Sequence, residues 1–267
     1  AMRIGLLGDI HEEVRSLKLA LRQLERRNCD ELVCLGDIVG FDVTCDGHAE
    51  SRRPSSCIAA IRSTCKHVVA GNHDLYAIRR VPRSVHAFAF PPDWYDLAVE
   101  ERRAQSGGRV WLYETESPTT KLTRAERYYL ESLPEHLILT WGSCGVYVSH
   151  SCHPDVTGSL MLRAHNPWEM RGHLQELKSQ GCLYGFSGHM HPNGVVVIRE
   201  EGMKEAPFGP MPLGDGPVQF SCPGIADGGR RQGYAIVDSN ALTIEAFPLN
   251  ERKGMRETWY ERLLRKS

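Results

Sequence analysis

The chain contains 267 residues, of which 41% are hydrophobic and 24% are charged, close to the average of globular domains. This balance excludes a largely disordered chain, and the length is sufficient for a sizeable core. The 32 basic and 33 acidic residues give a net charge of -1, which excludes a globally basic nucleic-acid binder. No run of about 18 apolar residues is present, so we expect no membrane-spanning helix.

The nine cysteines indicate a reducing environment. Their number is odd, and no Cys-x-x-Cys pair occurs. We therefore expect small buried side chains rather than a disulfide framework. The N-terminal residues also lack the pattern of a secretory signal, so the sequence predicts a cytoplasmic protein.

The first third of the chain alternates predicted strands and helices. Apolar runs at 3–8, 31–36 and 67–70 predict three short strands. Residues 12–27 place apolar side chains at helical spacing with charges on the opposite face, and a second helix is predicted over 55–64. Units of this kind predict parallel strands joined by crossover helices.

The rest of the chain changes character twice. Residues 79–135 are rich in aromatic and charged residues, Pro and Gly, and are predicted to form a mainly helical excursion or cap, with a helix over 122–133. The Pro- and Gly-rich stretch at 206–217 is predicted to be a loop. We find no internal repeat, so a single domain over 1–267 is expected. Further strands are predicted at 136–141, 145–149, 182–186, 194–199, 217–221, 233–238 and 241–247, and helices near 167–180 and 256–265.

Five predicted strands each end in residue types that bind metals. Ligands in open α/β sheets bind beyond the carboxyl ends of the strands, so we expect these five clusters to converge. Each cluster alone has an ordinary structural explanation, such as a turn or a helix cap. Their common position at strand ends favours one shared site. The clusters are Gly8-Asp9-Ile10-His11, Gly36-Asp37, Gly71-Asn72-His73-Asp74, Ser149-His150 and Gly188-His189-Met190-His191.

The mixture of oxygen and imidazole ligands indicates two divalent transition-metal ions. Such ligands favour Mn, Fe, Zn, Co or Ni over an all-oxygen Mg or Ca site. The clusters contain no Cys, which argues against a structural zinc site. A carboxylate shared by two ions holds them roughly 3.5–4 Å apart, a spacing suited to in-line displacement at phosphorus. The pair also lowers the pKa of a bridging water, so that hydroxide forms near neutral pH.

The five clusters, in this order over residues 2–191, resemble the signature of calcineurin-like metallophosphoesterases. The tail, with Ser221-Cys222-Pro223-Gly224 followed by Tyr234-Ala235, is similar to that of the small bacterial and archaeal phosphodiesterase-like branch. The resemblance implies an α/β fold, a four-layer αββα sandwich of two mixed β-sheets flanked by helices. It also implies a ligand role for seven residues. The first metal ion is assigned Asp9, His11 and His191, the second Asn72, His150 and His189, and Asp37 bridges both.

The resemblance further implies a catalytic pair beside the metals. His73 would face the scissile phosphate as general acid or charge stabiliser, and Asp74 would hydrogen-bond and orient its ring. Two positions depart from the family pattern, with Ser151 where glycine is usual and Cys222 where asparagine is common. Neither is an expected ligand, so we expect activity to survive.

These features predict a dinuclear metal-dependent phosphoester hydrolase, in which hydroxide bridging two ions, preferably Mn, attacks phosphorus in line. A phosphodiesterase is favoured. A phosphomonoesterase or nucleotide phosphatase and a non-catalytic binding protein of this fold are the alternatives. The expected substrate is a small-molecule phosphoester or a nucleotide, with no membrane partner, no indicated nucleic acid, and a homo-oligomer left open.

Residues outside the five clusters give weaker signals. Arg230 and Arg231 follow two glycines and are candidate substrate contacts. Some side chains of residues 79–135 could line a substrate entrance, but core packing and solvated charge are the favoured interpretation. These side chains are Trp94, Tyr95, Arg102, Arg103 and Trp111.

Overall fold

The computed structural model describes residues 2–117, 120–161 and 167–249. One six-stranded sheet contains the parallel strands expected from the first third of the chain. Helices α1 (Val14–Arg26) and α2 (Pro54–Thr64) connect these strands. In spatial order the sheet contains β3 (His67–Val68), β2 (Glu31–Cys34), β1 (Arg3–Leu7), β11 (Gly233–Asp238), β12 (Thr243–Pro248) and β9 (Gly209–Pro212).

The second six-stranded sheet is built from the later part of the chain. Three of its strands pair in parallel, and each of the others pairs antiparallel with its neighbours. Helix α6 (Pro167–Ser179) packs on this sheet through Leu174 and Leu177. In spatial order the sheet contains β4 (His136–Trp141), β5 (Cys144–Ser149), β6 (Cys182–Ser187), β10 (Val218–Ser221), β7 (Val195–Arg199) and β8 (Gly202–Ala206).

Two apolar cores bind these layers together. Side chains such as Ile4 and Leu6 of β1 pack against Val148 and Phe220 of the second sheet, because alternate residues of a strand point to opposite faces. On the other face of β1, Leu7 joins the core formed with α1 and α2. The four-layer αββα sandwich of two mixed sheets is thus confirmed.

The prediction of a loop over 206–217 is wrong in part. Strand β8 extends to Ala206, and β9 occupies Gly209–Pro212. Pro210 and Pro212 fit this strand because it lies at the edge of its sheet, where a missing N–H donor is tolerated.

The segment 79–135 is less helical than expected. Its described residues contain two helices, α4 (Val99–Ser106) and α5 (Arg124–Ser132), and a further short helix, α3 (Asn72–Ala77), precedes the segment. The rest is irregular chain around a small core that includes Trp94 and Val110. Isolated β-bridges tie it to 155–160 and to Asp42. We call residues 79–135 the cap.

Two further expectations concern the cysteines and a helix near the end of the chain. All nine cysteines are free, and five of them are buried. The helix expected near 256–265 lies outside the described residues.

A buried histidine on α6 predicts a pH-dependent stability. Nδ1 of His173 accepts the backbone N–H of His153 at 3.0 Å, and Nε2 lies 2.8 Å from Oε1 of Gln219. A ring that accepts at one nitrogen and donates at the other is neutral, so the neutral form of His173 fits this site. Burial lowers the pKa of His173 to about 4. Between pH 6.5 and about pH 4, His173 is protonated in the unfolded chain but neutral in the folded chain. The free energy of unfolding therefore decreases as the pH is lowered through this range.

We expect this histidine alone to account for a loss of about 3 kcal/mol between those two pH values. Urea unfolding of wild type and His173→Gln, which replaces the titrating ring with a neutral amide, measures it as a difference between the two proteins. Parallel pH dependences in the two proteins would contradict the assignment.

Candidate metal centre

The strand-end clusters of both sheets meet at one place. The backbone N–H of His189, after β6, donates to both carboxylate oxygens of Asp9, after β1, at 3.0 Å. Nε2 of His150, after β5, lies 3.1 Å from Oδ2 of Asp37, after β2. A Cβ added at Gly158 would lie within 3.1 Å of both His189 and Asn72. The geometry therefore brings together residues that are widely separated in sequence.

One group of metal-binding side chains consists of Asp9, His11 and His191, whose ligand atoms lie within 4.8 Å of one another. Nε2 of His191 is 3.1 Å from Oδ1 of Asp9 and 3.3 Å from Nε2 of His11. Nδ1 of His11 lies 3.0 Å from the carbonyl oxygen of Gly40, which places a proton on Nδ1. Nε2 of His11 is then free to bind a cation.

A second group consists of Asp37, His150 and His189, again within 4.8 Å. The carbonyl oxygen of Leu35 lies 2.7 Å from Nδ1 of His150, which leaves Nε2 with its lone pair. This Nε2 and Oδ1 of Asn72 are both buried without a hydrogen-bond partner. Buried polar atoms are rarely left unpaired, so these two atoms fit the coordination of an ion.

Backbone strain is concentrated in the expected ligands. Non-glycine residues seldom adopt a positive φ, and doing so costs energy that the surrounding structure must supply. The strained loops turn the side chains inward immediately after each strand. The φ angles lie between 45° and 67° at Asp9, His11, Asp37, His189 and His191.

The electrostatics of the centre keep Asp9 and His189 in the form that binds metal, whereas the neighbouring carboxylates favour a proton on His150 that a bound cation would replace. Burial raises the pKa of Asp9, but the charge and hydrogen bond of His191 outweigh it and lower that pKa to about 2. Burial and the nearby His150 lower the pKa of His189 to about 3. Burial lowers the pKa of His150, but the carboxylates of Asp37 and Asp9 raise it to about 9. The carboxylates thus attract positive charge to this place.

His73 lies beside the two groups, but its partner is not the expected one. Its backbone N–H donates to Oδ1 of Asp37 at 2.9 Å, and its Nδ1 is in ion-pair contact with Oε1 of Glu116. Burial lowers the pKa of His73, but the carboxylates of Glu116 and Asp37 raise it to about 10. The ring therefore carries a proton.

The expectation that Asp74 hydrogen-bonds the His73 ring is wrong. One oxygen of the Asp74 carboxylate accepts the backbone N–H groups of Ile38 and Val39, at 2.9 and 3.0 Å, and the other accepts that of Gly71, at 3.0 Å. These bonds join the loops after β2 and β3. Asp74 thereby shapes the loops that carry Asp37 and His73 instead of orienting the imidazole.

The loop that precedes the two candidate substrate arginines lies beside His191 of the first metal-binding group. A Cβ added at Gly228, in the loop that leads to Arg230, would lie 3.5 Å from Nδ1 of His191. The guanidinium of Arg231 instead lies over the ring of Phe208, 5.0 Å from its centroid. Arg231 thus makes a packing contact in this structure, and substrate contact by Arg230 and Arg231 stays a prediction.

The cap contributes side chains that the sequence interpretation assigned to packing. Trp94 is buried in the small core of the cap, as expected. Tyr95 and Arg102, however, line a cavity of about 150 Å³. Glu116 lines the same cavity, so it extends to the partner of His73.

The two departures from the family pattern are accommodated in the fold. Ser151 donates its backbone N–H to Val156 at 2.7 Å within the turn after His150. Cys222 is fully buried and donates its N–H to Ser187 at 2.7 Å. Neither side chain replaces a member of the two metal-binding groups.

Comparison with known proteins defines the class. The calcineurin-like phosphoesterase family matches residues 2–193, and the chain belongs to that family. Members of this family are metal-dependent phosphoester hydrolases that bind divalent metals. Among the described residues, we find no helix with the length and apolar character needed to span a bilayer.

Individual relatives agree in fold. A metallophosphoesterase from Sphaerobacter thermophilus superposes with a TM-score of 0.62 at 24% identity, covering 94% of this chain and 89% of that one. A hypothetical protein from Pyrococcus horikoshii gives 0.59 at 16% identity, covering 95% and 90%. An uncharacterized protein from Methanocaldococcus jannaschii is 32% identical over 71 residues, 27% of this chain and 26% of that protein. The chain thus aligns with only about a quarter of this last relative.

Proposed function

We propose that the protein is a phosphodiesterase that uses two divalent ions, with Asp37 as their common ligand. The observation that carries the proposal is the position of one carboxylate oxygen. Oδ2 of Asp37 lies 3.1 Å from Nε2 of His150 and 3.8 Å from Nε2 of His11. Since His150 and His11 belong to different metal-binding groups, this oxygen can serve both ions.

The remaining ligands follow from the two groups. The first ion would be held by Asp9, His11 and His191, and the second by His150, His189 and Oδ1 of Asn72. When bound, two such ions neutralise phosphoryl oxygens and lower the pKa of the attacking water. Imidazole-rich sets of this kind suit Mn, Fe, Zn, Co or Ni, and Mn is our preferred assignment.

The chain's own part in the reaction is to hold charge and move a proton. The Asp37 carboxylate fixes the backbone of His73, so the imidazole is held at a set position relative to the ligands. His73 carries the proton that the leaving oxygen needs as its bond to phosphorus breaks. Its positive charge also stabilises the negative charge that develops in the transition state.

The preference for diesters rests on the similarity of the tail motifs to the small phosphodiesterase-like branch. A phosphomonoesterase or nucleotide phosphatase is the second candidate. The cap cavity beside Glu116 favours this alternative, since Arg79 and Arg102 line it with Tyr76 and Tyr95. Arginine and aromatic side chains are suited to an anionic or nucleotide group.

The test is metal reconstitution followed by two assays. Metal-free protein is loaded with Mn, Zn, Co, Ni or Fe, and the metal content is measured by mass spectrometry, with two ions per chain expected. Rates are then compared on bis-p-nitrophenyl phosphate and p-nitrophenyl phosphate. Faster diester hydrolysis supports the proposal, and faster monoester hydrolysis supports the second candidate. Bound metal without turnover on either ester would favour the non-catalytic alternative.

A tyrosine of the cap predicts an effect on metal affinity. Nδ2 of Asn72 donates to Oη of Tyr113 at 2.9 Å, which fixes the amide with Oδ1 as the free ligand atom. We expect Tyr113→Phe to weaken binding of one ion about tenfold, because partners that orient a ligand contribute to affinity in this range. Titration calorimetry measures it, with the exposed Tyr128→Phe as matched control. Equal affinities in both variants would contradict this role.

A further inference from the structure

A short stretch of the cap reaches the reaction centre. Glu116 forms an antiparallel bridge with Asp42, and the backbone N–H of Ser117 donates to Phe41 at 2.9 Å. The hydroxyl of Thr115 donates to Oδ2 of Asp42 at 2.8 Å. The backbone of this stretch is therefore pinned to the loop that follows Asp37. Glu116 is only 5% exposed, so its carboxylate is buried against Nδ1 of His73.

No neighbouring loop supplies the same contact among the residues the structure describes. The Asp74 carboxylate is occupied by three backbone N–H groups, and Oδ1 of Asp37 accepts the backbone N–H of His73. Gly40, in the loop after Asp37, lies against His73 and has no side chain to offer. A Cβ there would lie 2.5 Å from Cβ and 2.8 Å from Nδ1 of His73. Gly40 leaves the space in which the ring and the cap carboxylate meet.

We infer that Glu116 is the positioning residue of His73, supplied by the cap. With Nδ1–H directed to Glu116, Nε2 is the nitrogen that gives its proton to the leaving oxygen. In that step the P–O bond breaks, the leaving oxygen takes the Nε2 proton, and the ring stays protonated at Nδ1 as a neutral imidazole. The cap then supplies a part of the reaction centre. This inference rests on the proposed function.

The test uses the dependence of rate on the leaving group. A misplaced general acid costs more when the departing alcohol is less acidic. For Glu116→Gln, which keeps the side-chain volume, we expect kcat to fall about 10- to 100-fold on diphenyl phosphate but about threefold or less on bis-p-nitrophenyl phosphate. The metal content should stay unchanged. Glu116→Asp, which retains the charge, should recover part of the loss.

The matched control is Glu114→Gln, since Glu114 lies two positions away and pairs with Arg103 on the surface. A second readout does not need turnover. In the 15N-histidine spectrum of the zinc-loaded protein, Glu116→Gln should move the His73 Nδ1 resonance and Glu114→Gln should not.

The outcomes separate the inference from the proposed function. Equal losses of Glu116→Gln on both esters, with an unmoved His73 resonance, would overturn the inference. If the wild-type protein hydrolyses neither ester, the proposed function is refuted. The shift of the His73 Nδ1 resonance then decides by itself whether Glu116 positions the ring.

Discussion

Asp37→Ala is expected to lower kcat/KM on bis-p-nitrophenyl phosphate by at least about 1000-fold, together with loss of bound metal. The reason is geometric, because Oδ2 of Asp37 is within 3.8 Å of ligand atoms from both metal-binding groups. Each of the other expected ligands is assigned to one ion in the proposed site, so its loss should affect that ion more than the other. A 1000-fold decrease corresponds to about 4 kcal/mol of lost transition-state stabilisation.

Asp37→Asn separates the two functions of this carboxylate. Its amide oxygen can still accept the His73 backbone N–H, so the loop should keep its shape while the bridging charge is lost. We expect fewer than two ions per chain in both variants, measured by mass spectrometry after dialysis. Asp93→Ala, exposed on the cap, controls for the general effect of losing an aspartate. Full metal occupancy in Asp37→Ala would refute the shared-ligand assignment.

The positions of the expected ligands could be predicted because each follows a strand directly. Asp9 and Asp37 come after neighbouring parallel strands, so the sheet itself places them side by side. His150 and His189 follow parallel strands of the second sheet in the same way. The strand pattern is local, and the convergence of the strand ends follows from the layers.

The contributions of the cap could not be read in this way. Glu116 and Tyr113 lie in irregular chain, where neither periodicity nor a motif marks one acidic or aromatic residue above its neighbours. Only the folded cap identifies Glu116 as the partner of His73.

The same reasoning explains the error at Asp74. Because Asp74 directly follows His73 in the sequence, its carboxylate was the expected partner of the ring. At the start of α3, however, Asp74 faces the backbone N–H groups of Gly71, Ile38 and Val39. A carboxylate at a helix N-terminus satisfies donors that would otherwise be buried and unpaired, and this local requirement prevails.

His73→Ala is expected to produce the second large effect, with a different signature from Asp37→Ala. It should lower kcat by about 100- to 10,000-fold, the range for loss of a general acid, while both ions stay bound. The bond from His73 to Asp37 comes from the backbone N–H, which the variant keeps, and Nδ1 of the ring pairs with Glu116, so loss of the ring should leave the expected ligands in place. His67→Ala, on β3 of the same sheet, is the control for loss of a histidine.

The dependence on the leaving group distinguishes the two roles assigned to His73. If the imidazole donates a proton, the loss should be greater for diphenyl phosphate than for bis-p-nitrophenyl phosphate, whose leaving group departs readily as an anion. If the imidazole acts only through its positive charge on the phosphoryl group, the two esters should lose activity equally. Loss of metal from His73→Ala would contradict both roles and make His73 a ligand. This outcome is possible because a ring nitrogen of His73 lies within 4.8 Å of ligand atoms of His11 and Asp37.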